Sequence, residues 1–307
     1  MGIQALELMH HYTAIAHRTL AVHDQIANVL LHDVPQEALS CPFLLTQLLS
    51  FAGFHKAYLQ PARRQSYFLS ASFHQAQALN DMRQTLIEPI TPSNCHALYA
   101  SAIFLAVSTL AKLPSYEIYS HGFDPLNRLL EVFVLVDGMG IILNSSNHHL
   151  RAGPLRGLFA KPWTKTTLSN HLSIISRQLP ALRSKVSQDL KNWDEDTLIA
   201  IEAIDTLIDS VDTVQEAHTL TASAELRAVF LWPIMVSNQY LILAQKRHPL
   251  SLVVLAYYCV LLRLAEEYYW FLKGWAGTVM TQLFQELHGT PWTDLLSWPL
   301  QVILYHR

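Results

Sequence analysis

Residues 230–298 read FLWPIMVSNQYLILAQKRHPLSLVVLAYYCVLLRLAEEYYWFLKGWAGTVMTQLFQELHGTPWTDLLSW, and they hold five of the seven tryptophans of the chain. The run is too long and too apolar to be loop, and it shows no strand alternation. Charges and prolines punctuate it. The reading is two consecutive buried helices and a closing short one, which together wall a cavity for a lipophilic small molecule. The best membrane-span candidate, residues 250–262, is stopped by Arg263, Glu266 and Glu267. It falls short of the ~18–20 apolar residues a span needs, so it reads as a core helix and no membrane span is expected.

The rest of the chain agrees. Hydrophobic residues make up 51% of 307 residues and charged residues 15%, against the usual charged share of roughly a quarter. Little of the chain is spare solvated surface. A net charge of −3 offers no basic footprint for nucleic acid, so no direct nucleic-acid contact is expected. Cys41, Cys95 and Cys259 are dispersed and odd in number, which fits a reducing, intracellular setting, cytoplasmic or nuclear. No secretory leader is expected, because histidines and an arginine stand where its apolar core would be.

Helical periodicity predicts helices over 2–31, 43–59, 62–88, 95–112, 125–143 and 194–214. Asp33-Val34-Pro35 is expected to end the first. Ser93 or Asn94 is expected to cap the fourth. Gly138 and Gly140 are expected to break or kink the fifth. Residues 114–123 and 144–169 read as loops, the second with one short helix at 155–160, and 171–191 as a helix broken at Pro180. The expected architecture is all-α, one compact multi-helix domain over 1–307 of about ten helices. An internal hydrophobic pocket is expected, with pocket-forming helices at about 222–304.

Chemical motifs are sparse. The sequence has no phosphate-binding loop, no nucleophile elbow, and no paired C-x-x-C or H-E-x-x-H. No cofactor and no metal are expected. Adjacent histidines on a helix point about 100° apart and chelate one ion poorly. His10 and His11 therefore read as one surface and one packed residue, and His148 and His149 as solvated. Asp205, Asp209, Asp212 and Glu216 read as a solvated helix face rather than a magnesium-diphosphate site, because no D-D-x-x-D run exists.

Several blocks, taken in order, carry a resemblance. They are LELMHHYTAIAHRTL, VPQEALSCPFLLTQLLSFAGFHKAYL, YFLSASFHQAQAL, NCHALYASAIFLA, FLWPIMVSNQYLILAQKRHPLSLVVLAYYCVLL, YYWFLKGWA and WTDLLSWP. They resemble the C-terminal regulatory domain of fungal sterol-uptake-control regulators, which are binuclear zinc-cluster transcription factors. The resemblance covers nearly the whole chain. It implies an all-α fold, a sterol pocket formed by C-terminal helices, and a glycine-bearing turn that influences ligand response, matched by Gly274 and Gly277. Two departures stand out: the six-cysteine DNA-binding segment is missing, and Val136-Asp137-Gly138 stands where an arginine-glycine pair is expected.

Pockets for lipophiles combine apolar lining with few polar anchors. The expected ligand-binding set is Phe51, His55, Phe230, Trp232, Met235, Gln239, Tyr257, Tyr258, Leu261, Tyr269, Trp270, Gly274, Trp275 and Gly277. Pro233, lacking an amide, is a candidate kink that opens space between helices. Of Glu266 and Glu267 one is expected to face solvent; the other can face inward, where an isolated carboxylate is costly unless paired or protonated, and Arg263 is within helical reach of both for a surface ion pair. Three functions stay open: a sensor that binds a sterol or terpenoid-like metabolite; a cofactor-free cyclase, isomerase or Diels-Alder-type pericyclase of secondary metabolism; and a homodimerising scaffold. For the enzyme, His55, Tyr258 and Glu267 are the catalytic candidates.

Overall fold

The computed structural model describes residues 2–115, 122–160, 172–189, 194–216 and 222–305. Fourteen α-helices and no strand occur among them, so the chain is all-α with more helices than the periodicity predicted. The surplus comes from short pieces. The expected N-terminal helix divides into α1 (Ile3–Ala14), a 3₁₀ turn, α2 (Asp24–Asn28), a π turn at Val29–Asp33 and α3 (Val34–Ser40). Pro35 does not end the helix: the backbone stays helical through Asp33 and Val34 into α3, with the π turn carrying the chain past the proline.

Next come α4 (Pro42–Leu59), α5 (Arg64–Thr85) and α6 (Cys95–Ser115). α4 packs on α1, α5 and α6, and α6 carries the core onward to α7. α6 is apolar nearly all round. It is the one helix among the described residues long and apolar enough to cross a membrane, and 78% of its apolar window is buried inside the protein. It also runs past Pro114, so 114–115 is helix and not loop; residues 116–121 lie outside the described residues. The Asn94 carboxamide turns back onto the loop, accepting from the Thr91 amide at 2.7 Å and donating to the Pro89 carbonyl at 3.2 Å.

α7 spans Pro125–Ala152. The expected loop from 144 is therefore helical as far as 152. The break falls at Ser146 (φ −125°, ψ 16°) and not at Gly138 or Gly140. A 3₁₀ helix at Pro154–Phe159 stands where a short helix was expected; residues 161–169 lie outside the described residues. α8 (Leu172–Asp189) passes through Pro180 unbroken, and α9 (Glu195–Glu216) packs beside it.

Residues 230–298 hold more pieces than expected. It takes in the end of α10 (Ala224–Met235), α11 (Asn238–Gln245), α12 (Pro249–Ala265), a 3₁₀ turn at Trp270–Leu272, α13 (Trp275–Leu287) and the start of α14 (Ser297–Leu300). Every residue of α12 from Leu250 to Leu262 is buried. It contacts α8, α9, α10, α11, α13 and α14. A polar staple ties three of these elements. Asp124 caps α7 through the Asn127 amide (3.0 Å), pairs with Arg247 after α11 (2.7 Å) and accepts from Gln282 of α13 (3.2 Å).

Candidate functional site

Pro233 lies inside α10. Having no amide, it leaves the Val229 carbonyl, four residues back, without its helical partner. A buried bare carbonyl is costly, and Tyr258 removes the cost: its hydroxyl donates to Val229 O at 2.9 Å. The chain bends sharply just beyond, with α10 and α11 set at 96°. Pro114 repeats the arrangement in α6. The freed carbonyl there is that of Leu110, and the Trp275 indole donates to it at 2.8 Å. The two aromatic donors thus tie α12 to α10 and α13 to α6.

Around Tyr258 the rings of Phe133, Trp232 and Tyr240 form one aromatic cluster, with centroids 4.9–5.4 Å apart. Its polar atoms are all bonded. Trp232 Nε1 is shared between Ala203 O (3.2 Å) and Thr206 Oγ1 (3.3 Å), and Tyr240 donates to Ser251 O at 2.9 Å. Burial pushes the Tyr258 hydroxyl well above its ordinary range, so it stays a neutral donor.

The second cluster lies between α1, α4 and the Trp270 turn. Trp270 stacks on His55 (4.8 Å), Tyr58 (5.2 Å) and Phe51 (5.9 Å), and its indole donates to Thr19 Oγ1 at 3.1 Å. His55 Nδ1 and His11 Nε2 are 3.1 Å apart and share one hydrogen. Burial, with the mutual repulsion of the pair, holds His55 at a pKa of about 4. Burial and the Lys56 charge hold His11 at about 4. Lys56 and Tyr67 bind Glu7 next to the pair. His10 is exposed and His11 packed, as the spacing predicted, and His148 and His149 are exposed.

The expected ligand set therefore does not form one wall. Phe51, His55 and Trp270 meet in one cluster, Trp232 and Tyr258 in the other. Tyr257 packs on Trp298 (5.3 Å), and Tyr269 accepts from the Ser223 amide at 3.1 Å. Leu261 is buried, Phe230 and Met235 are half-buried, and Gln239 is exposed. Gly274 caps α13 at φ +87°, and an added Cβ there would sit 3.2 Å from Leu113 Cδ2. Gly277 has open space around it. The catalytic candidates are also apart: His55 is engaged with His11, Tyr258 with Val229, and Glu267 pairs at the surface with Arg263 (3.8 Å). Glu266 turns inward and accepts from the Ala276 amide at 2.8 Å, holding the start of α13. Burial pushes its pKa up to about 6, although the Ala276 amide and the charges of Arg263 and Lys273 oppose the shift.

Beside the Pro233 joint, Leu110, Val132, Val136, Val229, Phe230, Pro233 and the Tyr258 ring pack so closely that no space for even a water-sized molecule remains between them. A ligand site of the usual roughly 300–1,000 Å³ is not open there. Two open grooves, of about 720 Å³ over α6 between α5 and α7 and about 490 Å³ between α1, α3 and α4, contain none of the expected residues. No group of three or more metal-ligating side chains converges among the described residues.

No family model matches the chain. It is similar to a Zn(2)-C6 fungal-type transcription factor of Gibberella zeae, at 24% identity over 97% of the chain and 61% of that protein. It is also similar to Sterol uptake control protein 2 of Candida albicans, at 30% identity over 109 residues, which is 34% of the chain and 14% of that protein. The chain thus spans about 61% of the length of the first relative and far less of the second.

Proposed function

We propose that the chain is a regulatory module that binds a neutral lipophilic small molecule, of sterol or terpenoid character, among its C-terminal helices. The observation that carries this reading is the alignment of 97% of the chain with a Zn(2)-C6 transcription factor. The shorter match to a sterol uptake control protein supports the ligand class. The physical chemistry is compatible with it: the core around α12 is apolar and aromatic, and among the described residues none of those packed at the Pro233 joint is charged. A regulator of this kind acts in the nucleus or cytoplasm, and its DNA contact belongs outside the described helices. Native mass spectrometry of the purified protein after incubation with a fungal lipid extract tests the proposal. The expected result is a bound neutral lipophile with a raised melting temperature. A protein that stays bare, with no thermal shift in any lipid fraction, would sink it.

A further inference from the structure

Two threonines of the chain precede a proline, Thr91 before Pro92 and Thr290 before Pro291, and no serine does. The fold presents the two in opposite ways. Thr91 is exposed in the connection between α5 and α6, where every residue from 86 to 93 except Ile90 is exposed. Its hydroxyl meets the exposed Ser93 hydroxyl at 2.8 Å and no backbone group. Thr290 is half-buried, and its hydroxyl is engaged on both sides. It donates to the Leu287 carbonyl at 2.7 Å and accepts from the Trp292 amide at 3.3 Å.

Thr91 stands in the run Pro89-Ile90-Thr91-Pro92. A residue before proline is biased to extended backbone, the shape in which a kinase cleft takes its substrate. Pro92 brings no amide that the cleft must satisfy. Kinases of the proline-directed class select a threonine followed by proline, and a second proline two residues earlier adds to the match. The Thr91 carbonyl accepts from the Asn94 and Cys95 amides at 3.2 and 3.0 Å, so the residue stands at the positive end of α6, where added negative charge is favourable.

We propose that Thr91 is a phosphorylation site, modified by a proline-directed kinase, and that Thr290 is not. Thr91 Oγ1 attacks the γ-phosphorus of ATP, the bond to the β-phosphate oxygen breaks and ADP leaves. The hydroxyl proton passes to the catalytic aspartate of the kinase. The product carries a new charge of about −1.5 to −2 on an exposed loop, in a chain whose net charge is −3. It marks the surface without disturbing the core, and it stands apart from the lipophile reading.

The test incubates the purified chain with an active mitogen-activated protein kinase and magnesium ATP, and locates phosphate by tandem mass spectrometry. A peptide covering residues 84–96 and the Thr91→Ala and Thr290→Ala chains run alongside. The expected result is phosphate on Thr91 in both the chain and the peptide. Modification of Thr290 should be roughly tenfold or more slower, because its bonds must open first. Thr91→Ala should lose most of the incorporated phosphate, and Thr290→Ala should keep it. The phosphorylated chain should melt no lower than the unmodified one. A folded chain left unmodified at Thr91 overturns the proposal, whether or not the peptide is modified. Thr290 modified as fast as Thr91 overturns it as well. A fall in melting temperature on phosphorylation overturns the placement of the phosphate at the positive end of α6.

Discussion

The Trp275 indole donates to the carbonyl of Leu110 at 2.8 Å, and Leu110 is the residue four before Pro114. The same logic joins Tyr258 to Val229 ahead of Pro233. It appears a third time near the N-terminus. In the π turn at Val29–Asp33 the Val34 amide reaches back five residues to Val29, so the carbonyl of Leu30 would look to residue 35, which is proline. Tyr12 donates its hydroxyl there at 2.7 Å. In each case a proline interrupts a buried helical segment without leaving its freed acceptor bare, and a distant aromatic side chain becomes obligatory. These bonds tie α1 to the π turn, α12 to α10 and α13 to α6.

Trp275→Phe should keep most of the packing and remove only the donor. With Leu110 O left buried and unpaired, the expected loss is about 1–3 kcal/mol in urea unfolding. Pro114→Ala supplies the missing helical amide, so in that background the same substitution should cost clearly less. A double-mutant cycle measures the coupling. Strictly additive effects would show that the indole and the proline are unrelated.

How much of this was legible beforehand varies by residue. The all-α class followed from period and composition. The freed carbonyl at Val229 is readable from Pro233, whereas Pro114 looks in sequence like the start of a loop, which hides the matching acceptor at Leu110. The partners of these carbonyls lie 29 and 165 residues away, and no local pattern encodes such distances. His11 is likewise 44 residues from His55, so spacing could place it on a packed face but not against another imidazole. The candidate ligand set rests on residue type, and type does not distinguish an aromatic side chain that fills a core from one that lines a pocket. An inward turn of one of Glu266 and Glu267 is readable from the sequence, but which of the two turns is not. Arg263 offered an obvious partner, but geometry gives that pairing to Glu267.

Two buried sites should oppose each other in the acid range. His11 and His55 are held at about 4, well below their ordinary 6.5. The unfolded chain then binds more protons than the folded one between those values. Their contribution is full above pH 6.5 and is lost as pH falls through about 4. Glu266 has the other sign, because burial raises it from 4.5 to about 6. Its contribution is full below pH 4.5 and is lost as pH rises through about 6. With two imidazoles against one carboxylate, unfolding free energy should fall overall from pH 6.5 to pH 4. His55→Gln should shrink that fall by on the order of 1–3 kcal/mol, and Glu266→Gln should steepen it. Denaturant melts across this range decide the matter, and parallel profiles for all three proteins would contradict both assignments.

The two glycines that the resemblance matches to a ligand-responsive turn should behave differently on substitution. Gly274 is at φ +87° as the cap of α13. An L residue there carries left-handed strain of roughly 1–2 kcal/mol, and its Cβ would press on Leu113 Cδ2 at 3.2 Å. Gly277 is inside the first turns of the same helix, and its added Cβ would meet nothing within 4 Å. There the gain in helix propensity of about 0.5–1 kcal/mol is unopposed. Gly274→Ala should therefore lower the melting temperature, while Gly277→Ala should leave it unchanged or raise it. Because Gly274 adjoins Trp275 and the Ala276 amide held by Glu266, its substitution should also speed amide exchange at the start of α13. Equal destabilisation by both substitutions, with exchange at α13 unaltered, would show that the start of α13 is not the strained, docked element described above.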